Sequence, residues 1–288
     1  SDVCSSDLPT SWRSAGHRGG WSTMPVRCMG LRFRSATATT SGPPNGSGRG
    51  FSRCFGVQSK LQNRRRKDNQ ILRFAMIGCG GFARRYHVPT LVADPQLKLL
   101  GIFDPFPASP VAEIAARTGA KIVARLDDLP EVDACLVSTP HTLHASHVEH
   151  AMSRNWATLV DKPFVMKTEE ATKLIAEAGK RKLVNAVAFN RRLDAGCARA
   201  REIVRAGGIG SVRLVQTVQL GYERAGWFLD PALGGGGAYT GRATHMADIV
   251  PWLIDKRPKR VRSRLRPGPA GKVDRGGIID VEIGRAHV

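Results

Sequence analysis

The segment Leu72-Arg-Phe-Ala-Met-Ile-Gly-Cys-Gly-Gly-Phe-Ala83 decides how this chain is read. Its first half is a short apolar run that stops at a glycine, as a buried strand does. Its second half is G-x-G-x-x-A, followed by helix-compatible sequence, which is the setting that a dinucleotide-binding turn requires. Each small residue has a task. Gly78 permits the tight turn, Gly80 lets the backbone approach a pyrophosphate, and Ala83 lets the helix pack on the strand. Gly81 and Phe82 complete the turn, and the helix N-terminus offers unpaired N–H groups to an anion.

The neighbouring sequence strengthens this reading. Leu97–Phe103 is a second strand and ends at Asp104, 21 residues past Ala83. A carboxylate there accepts hydrogen bonds from ribose hydroxyls and repels a 2′-phosphate, which favours NAD over NADP. The plainer alternative is that Asp104 only opens a turn with Pro105. Strands and helices then alternate: a helix at 110–118, strands at 121–124 and 133–138, a helix at 143–154 and a strand at 157–160. Thr139-Pro140 breaks one strand and Asp161-Lys162-Pro163 ends another. Such alternation predicts an α/β fold with a doubly wound parallel sheet.

Composition sets limits on function. The chain has 288 residues, is 42% hydrophobic and carries a formal charge of +20. No apolar run approaches the roughly 20 residues that span a bilayer, so no membrane partner is expected. The charge is uneven: residues 1–70 hold 12 lysines and arginines against 3 acidic residues, in a Ser-, Gly- and Arg-rich stretch without apolar periodicity. That segment reads as disordered or non-native. Upstream DNA translated in frame, a transit peptide, and a basic arm whose Arg64-Arg65-Arg66-Lys67 run meets phosphates are the competing readings. Residues 1–8 and 282–288 can be encoded by opposite strands of one DNA linker and read as an adapter-like scar. The six cysteines at 4, 28, 54, 79, 135 and 197 form no Cys-x-x-Cys pair. No zinc site is indicated, and a reducing, cytoplasmic setting fits.

Further motifs follow in order: Ser138-Thr139-Pro140, Asp161-Lys162-Pro163, Asn190-Arg191-Arg192, and Gly235-Gly236-Gly237-Ala238 with His245 and Asp248 downstream. With Gly78–Ala83, this set resembles the Gfo/Idh/MocA oxidoreductases, the glucose-fructose oxidoreductase and inositol dehydrogenase family, over residues 72–281. The resemblance implies a Rossmann domain at 71–165 and a C-terminal α/β domain at 166–281. The second domain would carry an open, mainly antiparallel sheet that covers the site and often forms the oligomer interface. Thr168–Arg181 reads as a helix, Leu183–Phe189 as strand-like, Ala195–Ala206 as a helix and Val212–Leu220 as an alternating strand. Ile278–Val281 reads as a strand just beginning, so the second domain is expected to be incomplete, and homo-oligomers are expected of the full-length protein.

The resemblance also implies chemistry. Lys162 matches the family's Glu-Lys-Pro lysine, with Asp161 in place of Glu and the peptide before Pro163 expected to be cis. Its ammonium would hydrogen-bond the reacting oxygen. His245 matches the family's general acid/base. Four residues earlier, where the family often has Asp, stands Gly241, and Thr240 is a neutral stand-in. Ser138, Thr139, Pro140, His144 and Asp161 join the cofactor side. Arg191, Trp227, Thr240 and Asp248 are the substrate-side candidates, with core packing an equal reading for Trp227 and structural support the alternative for Asp248. His141, His144, His147 and His150 step by three, which reads as a solvated helix face plus one pocket histidine, not a metal site. The expectation is an NAD-dependent dehydrogenase acting on a secondary alcohol of a sugar, cyclitol or related polyol. The alternative prompted by Gly241 is a non-catalytic dinucleotide- or sugar-binding relative. A nucleic-acid role for the basic segment is not favoured.

Overall fold

The computed structural model describes residues 71–106, 111–221, 225–269 and 272–284. The expectations for residues 1–70, for Pro110 and for the tail beyond Gly284 lie outside the described residues.

The apolar run opens a Rossmann sheet as expected. Strands β1 (Leu72–Ile77), β2 (Leu97–Phe103), β3 (Lys121–Ile122), β4 (Ala134–Val137), β5 (Ala157–Val160) and β6 (Asn185–Val187) form one sheet in the order β3-β2-β1-β4-β5-β6. Every pairing in it is parallel. Alternate residues of β1 enter two different cores. Phe74 and Met76 pack with Val88, Leu91 and Ile114, while Ala75 and Ile77 pack with Val148, Met152, Trp156 and Leu174. Burial on both faces explains why the strand reads as a continuous apolar run, not an alternating one.

Helices cover those faces: α1 (81–93), α2 (Val111–Thr118), α3 (His144–Ser153) and α4 (Thr168–Arg181). Within α1 the span Ala83–His87 is a π-turn, which shifts the facing of the residues after it. Glu169 and Glu170 in the first turn of α4 and Lys180 and Arg181 in its last complement the helix dipole.

Two expectations are corrected. The boundary placed at 165/166 falls inside one continuous sheet, because α4 and β6 build its last crossover and edge strand. Residues 212–220 form no strand. Alternating apolar residues become a strand only beside a partner edge, and none of the described strands pairs with this stretch. Leu214, Val218 and Leu220 are strongly exposed.

The remaining elements are α5 (Ala195–Arg205), capped by the Asp194 carboxylate accepting from Cys197 N–H at 3.0 Å, the short α6 (Pro231–Gly234), and α7 (238–254). An antiparallel ribbon of β7 (Pro258–Arg266) and β8 (Gly276–Ile283) follows. None of the helices among the described residues is long and apolar enough to cross a membrane.

Candidate functional site: a dinucleotide cradle facing a lysine and a histidine

The C-terminal ends of β1, β2, β4 and β5 point the same way, because all four are parallel, so their following loops gather at one edge of the sheet. The Gly-rich turn lies there. Gly78 has φ +91°, and a Cβ on it would sit 2.5 Å from the Ser138 carbonyl carbon. Only glycine fits that conformation and that approach. At Gly80 and Gly81 a Cβ would meet nothing within 4 Å, so space lies open above the N-terminus of α1. That open, donor-rich helix start fits the pyrophosphate of a dinucleotide. Phe82 is exposed beside it, its ring edge-on to His87 at 5.3 Å. Ala83 is fully buried against the sheet, as its packing task requires.

Asp104 ends β2 as expected and also braces the turn. Its Oδ2 accepts from Cys79 N–H at 2.6 Å and its Oδ1 from Phe106 N–H at 2.8 Å. Each carboxylate oxygen has a second acceptor position left for a ribose hydroxyl. The residues present therefore fit the pyrophosphate and ribose of an NAD molecule.

Loops after β4 and β5 are tied by buried polar groups. Ser138 Oγ donates to Asp161 Oδ2 at 2.5 Å, and His87 Nε2 lies 2.9 Å from Asp161 Oδ1. Burial alone would push the Asp161 carboxyl up. The His87 ring and the hydrogen bonds from His87 and Ser138 outweigh it and hold the carboxyl below the usual range. The Lys162–Pro163 peptide is cis. Lys162 Nζ donates to the Gly241 carbonyl at 2.9 Å, which brings the end of β5 against α7 one helical turn before His245. Gly241 is buried, and Thr244 Oγ1 donates to the Thr240 carbonyl in the same turn.

The histidine stripe resolves into four different local roles. His141 Nδ1 donates to Gly234 O at 2.9 Å, which fixes its tautomer. His144 is fully buried, with Nδ1 2.7 Å from Pro163 O and Nε2 2.9 Å from Thr139 O. Carbonyl oxygens only accept, so both contacts are hydrogen bonds only in the imidazolium. Burial nonetheless pushes the ring's protonation down, against the pull of the two carbonyls and Asp161. His144 lies between the Pro163 and Thr139 carbonyls, with both ring nitrogens facing protein. His147 bonds Thr139 Oγ1 at 3.0 Å, and burial pushes its pKa down to about 4. His150 packs edge-on against Trp156 and lies 3.7 Å from Asp127.

Candidates on the substrate side are mostly engaged with protein. Trp227 stacks on Phe228 at 3.7 Å and meets the His141 ring at 5.0 Å. Asp248 pairs with Arg192 through both carboxylate oxygens, one contact at 2.8 Å, which is the structural-support alternative. Arg191 lies over the Met246 sulfur at 3.9 Å, next in sequence to His245. Two residues escaped the sequence reading. His87 is one; the need of a buried Asp161 for donors is the signal that points to it. Asp274 is the other: its carboxylate accepts from Gly237 N–H at 2.8 Å and from Tyr239 N–H at 3.1 Å, bracing the Gly-rich turn at the start of α7.

A family model described as "Oxidoreductase family, NAD-binding Rossmann fold" matches residues 72–189, and the GFO/IDH/MocA C-terminal domain model matches residues 197–285. The chain belongs to the Gfo/Idh/MocA oxidoreductase family. Among curated members, inositol 2-dehydrogenase 3 of Saccharopolyspora erythraea is 30% identical over 199 residues, 61% of this chain and 54% of that protein. The UDP-N-acetylglucosamine 3-dehydrogenase of Acidithiobacillus ferrooxidans is 34% identical over 150 residues, 52% of this chain and 45% of its own length. A crystal structure of GenD2 from gentamicin A biosynthesis, in complex with NAD, is 27% identical with a TM-score of 0.64, covering 74% of this chain and 63% of that one. The chain spans about half the length of the curated relatives it matches. Membership in the Gfo/Idh/MocA family accounts for the Rossmann sheet and the Gly-rich turn together.

Proposed function

We propose that this chain carries the cofactor domain and part of the substrate domain of an NAD-dependent dehydrogenase that oxidises a secondary alcohol of a sugar, cyclitol or related polyol. The observation that carries the reading is the Lys162 ammonium, held at the sheet's C-terminal edge against the turn of α7 that leads to His245. When bound, NAD supplies the hydride acceptor. Gly78, Gly80, Gly81 and the start of α1 seat the pyrophosphate, and Asp104 holds the adenosine ribose while disfavouring a 2′-phosphate. Lys162 donates to the reacting hydroxyl oxygen and stabilises the charge that develops there. His245 accepts the hydroxyl proton. Arg191 and Thr240 are the side chains proposed to contact the substrate. Full-length protein is proposed to work as a homo-oligomer in the cytoplasm.

The test is reduction of NAD and NADP at 340 nm with a panel of inositols, aldoses and nucleotide sugars. Turnover with NAD is expected, and Lys162→Ala is expected to lower kcat by roughly 100- to 1000-fold. NADH binding with no turnover of any panel member would support the non-catalytic alternative instead.

A further inference from the structure

Lys162 is flexible along four carbons, and its chemistry needs its ammonium fixed to within a fraction of an ångström. The structure fixes its two chain neighbours by buried side chains. The Pro163 carbonyl lies 2.7 Å from Nδ1 of the buried His144 ring. Asp161 is held through its carboxylate, which His87 and Ser138 clasp from α1 and from the end of β4. His87 and Asp161 are 74 residues apart in sequence, and both side chains are nearly inaccessible to solvent. His87 ends the π-turn Ala83–His87, and its ring reaches Asp161 at the end of β5.

We propose that His87 is a positioning residue for Lys162, acting through Asp161. The inference rests on the dehydrogenase reading for its kinetic arm alone. A buried carboxylate needs its donors. With the His87 donor removed, Asp161 keeps only the Ser138 hydroxyl, so the residue before Lys162 is clasped from one side instead of two. A loosened Asp161 loosens the backbone step that carries Lys162, and the ammonium is then held less firmly at the Gly241 carbonyl. His87 itself lies in the helix that the Gly-rich turn begins.

Two variants separate positioning from simple packing. His87→Leu keeps bulk without a donor; His87→Gln carries an amide N–H near the place of Nε2. On the fastest polyol of the panel, His87→Leu is expected to lower kcat at least tenfold while KM and the NADH dissociation constant stay within threefold. His87→Gln is expected to recover most of the loss. Equal losses in both variants, or a loss carried wholly by NADH affinity or melting temperature, would overturn the proposal. A second readout does not depend on turnover. The rate at which trinitrobenzenesulfonate labels Lys162, followed by peptide mass spectrometry, is expected to change severalfold in His87→Leu and to return toward the original value in His87→Gln. If no polyol is oxidised but the labelling rates behave so, the dehydrogenase reading fails and the positioning role stands. Unchanged labelling in His87→Leu would sink it.

Discussion

Position 241 shows how one missing side chain redistributes contacts. The Gly241 carbonyl receives the Lys162 ammonium at 2.9 Å, and no side chain there reaches toward His245, one helical turn on. Residues four apart on a helix face each other, so a carboxylate at 241 would stand beside the His245 ring and favour its charged form. Gly241→Asp is therefore expected to raise kcat about tenfold and to move the acidic limb of the kcat/KM profile upward by about one pH unit. Paired pH–rate profiles of the two proteins read both effects, and superimposable profiles would show that position 241 does not act on the base. The same scale explains what sequence discloses about the cradle. Gly78 was legible because its requirement is steric and local: a positive φ and a carbonyl within contact distance. Asp104 was legible by spacing, but its bonds to Cys79 and Phe106 N–H were not, since they depend on how the loop after β2 folds back.

At the scale of elements, α3 carries three histidines into different surroundings, with His141 just before it, and their protonation links to stability. Burial, then the neighbouring His144 and His150, push His147 down to about 4, while an unfolded histidine titrates near 6.5. A group depressed in the folded state favours the fold fully above its unfolded pKa and loses that contribution as pH falls toward its folded pKa. The window is therefore pH 6.5 down to about 4, and the full loss for His147 is on the order of 3 kcal/mol. His144 and His150 shift the same way and add to the slope. His147→Asn, whose amide reaches the place of Nδ1 and does not titrate, is expected to flatten the fall of melting temperature between pH 7 and pH 5. An unchanged slope would assign it to the other histidines. Element bounds were legible where the pattern is self-contained: β1, β2 and α4 begin and end where their apolar runs, acidic start and basic end put them. The stretch 212–220 was misread because alternation states which faces a strand would have, not whether an edge is there to pair with it. Placing β6 in the second domain was the converse error, since a strand's sheet is decided by its neighbour, β5, and not by the motif that precedes it.

The whole molecule holds its candidate site in a seam between the Rossmann sheet and the segment from α6 to α7. His141 and Thr142 reach the carbonyls that end α6, Met166 fills the space that a Cβ on Gly235 would take, and Lys162 reaches Gly241. Each tie crosses about 70 to 90 residues of sequence, which is why none was visible as a pattern. Arg192 and Asp248 anchor the far side of the same seam, joining the turn after β6 to α7. Their exposures differ: the Asp248 side chain is 6% accessible and the Arg192 side chain 38%. Removing Asp248 leaves a guanidinium that water can reach, whereas removing Arg192 leaves a buried carboxylate without its cation. Breaking such a pair is therefore expected to be asymmetric: Arg192→Ala costs about 3 kcal/mol and Asp248→Ala about 1 kcal/mol, with the double variant closer to Asp248→Ala. Urea denaturation of the four proteins measures the cycle. A symmetric result would mean that the carboxylate finds water or another donor once the arginine is gone, and that α7 is held to the sheet by the Lys162 and His141 ties instead.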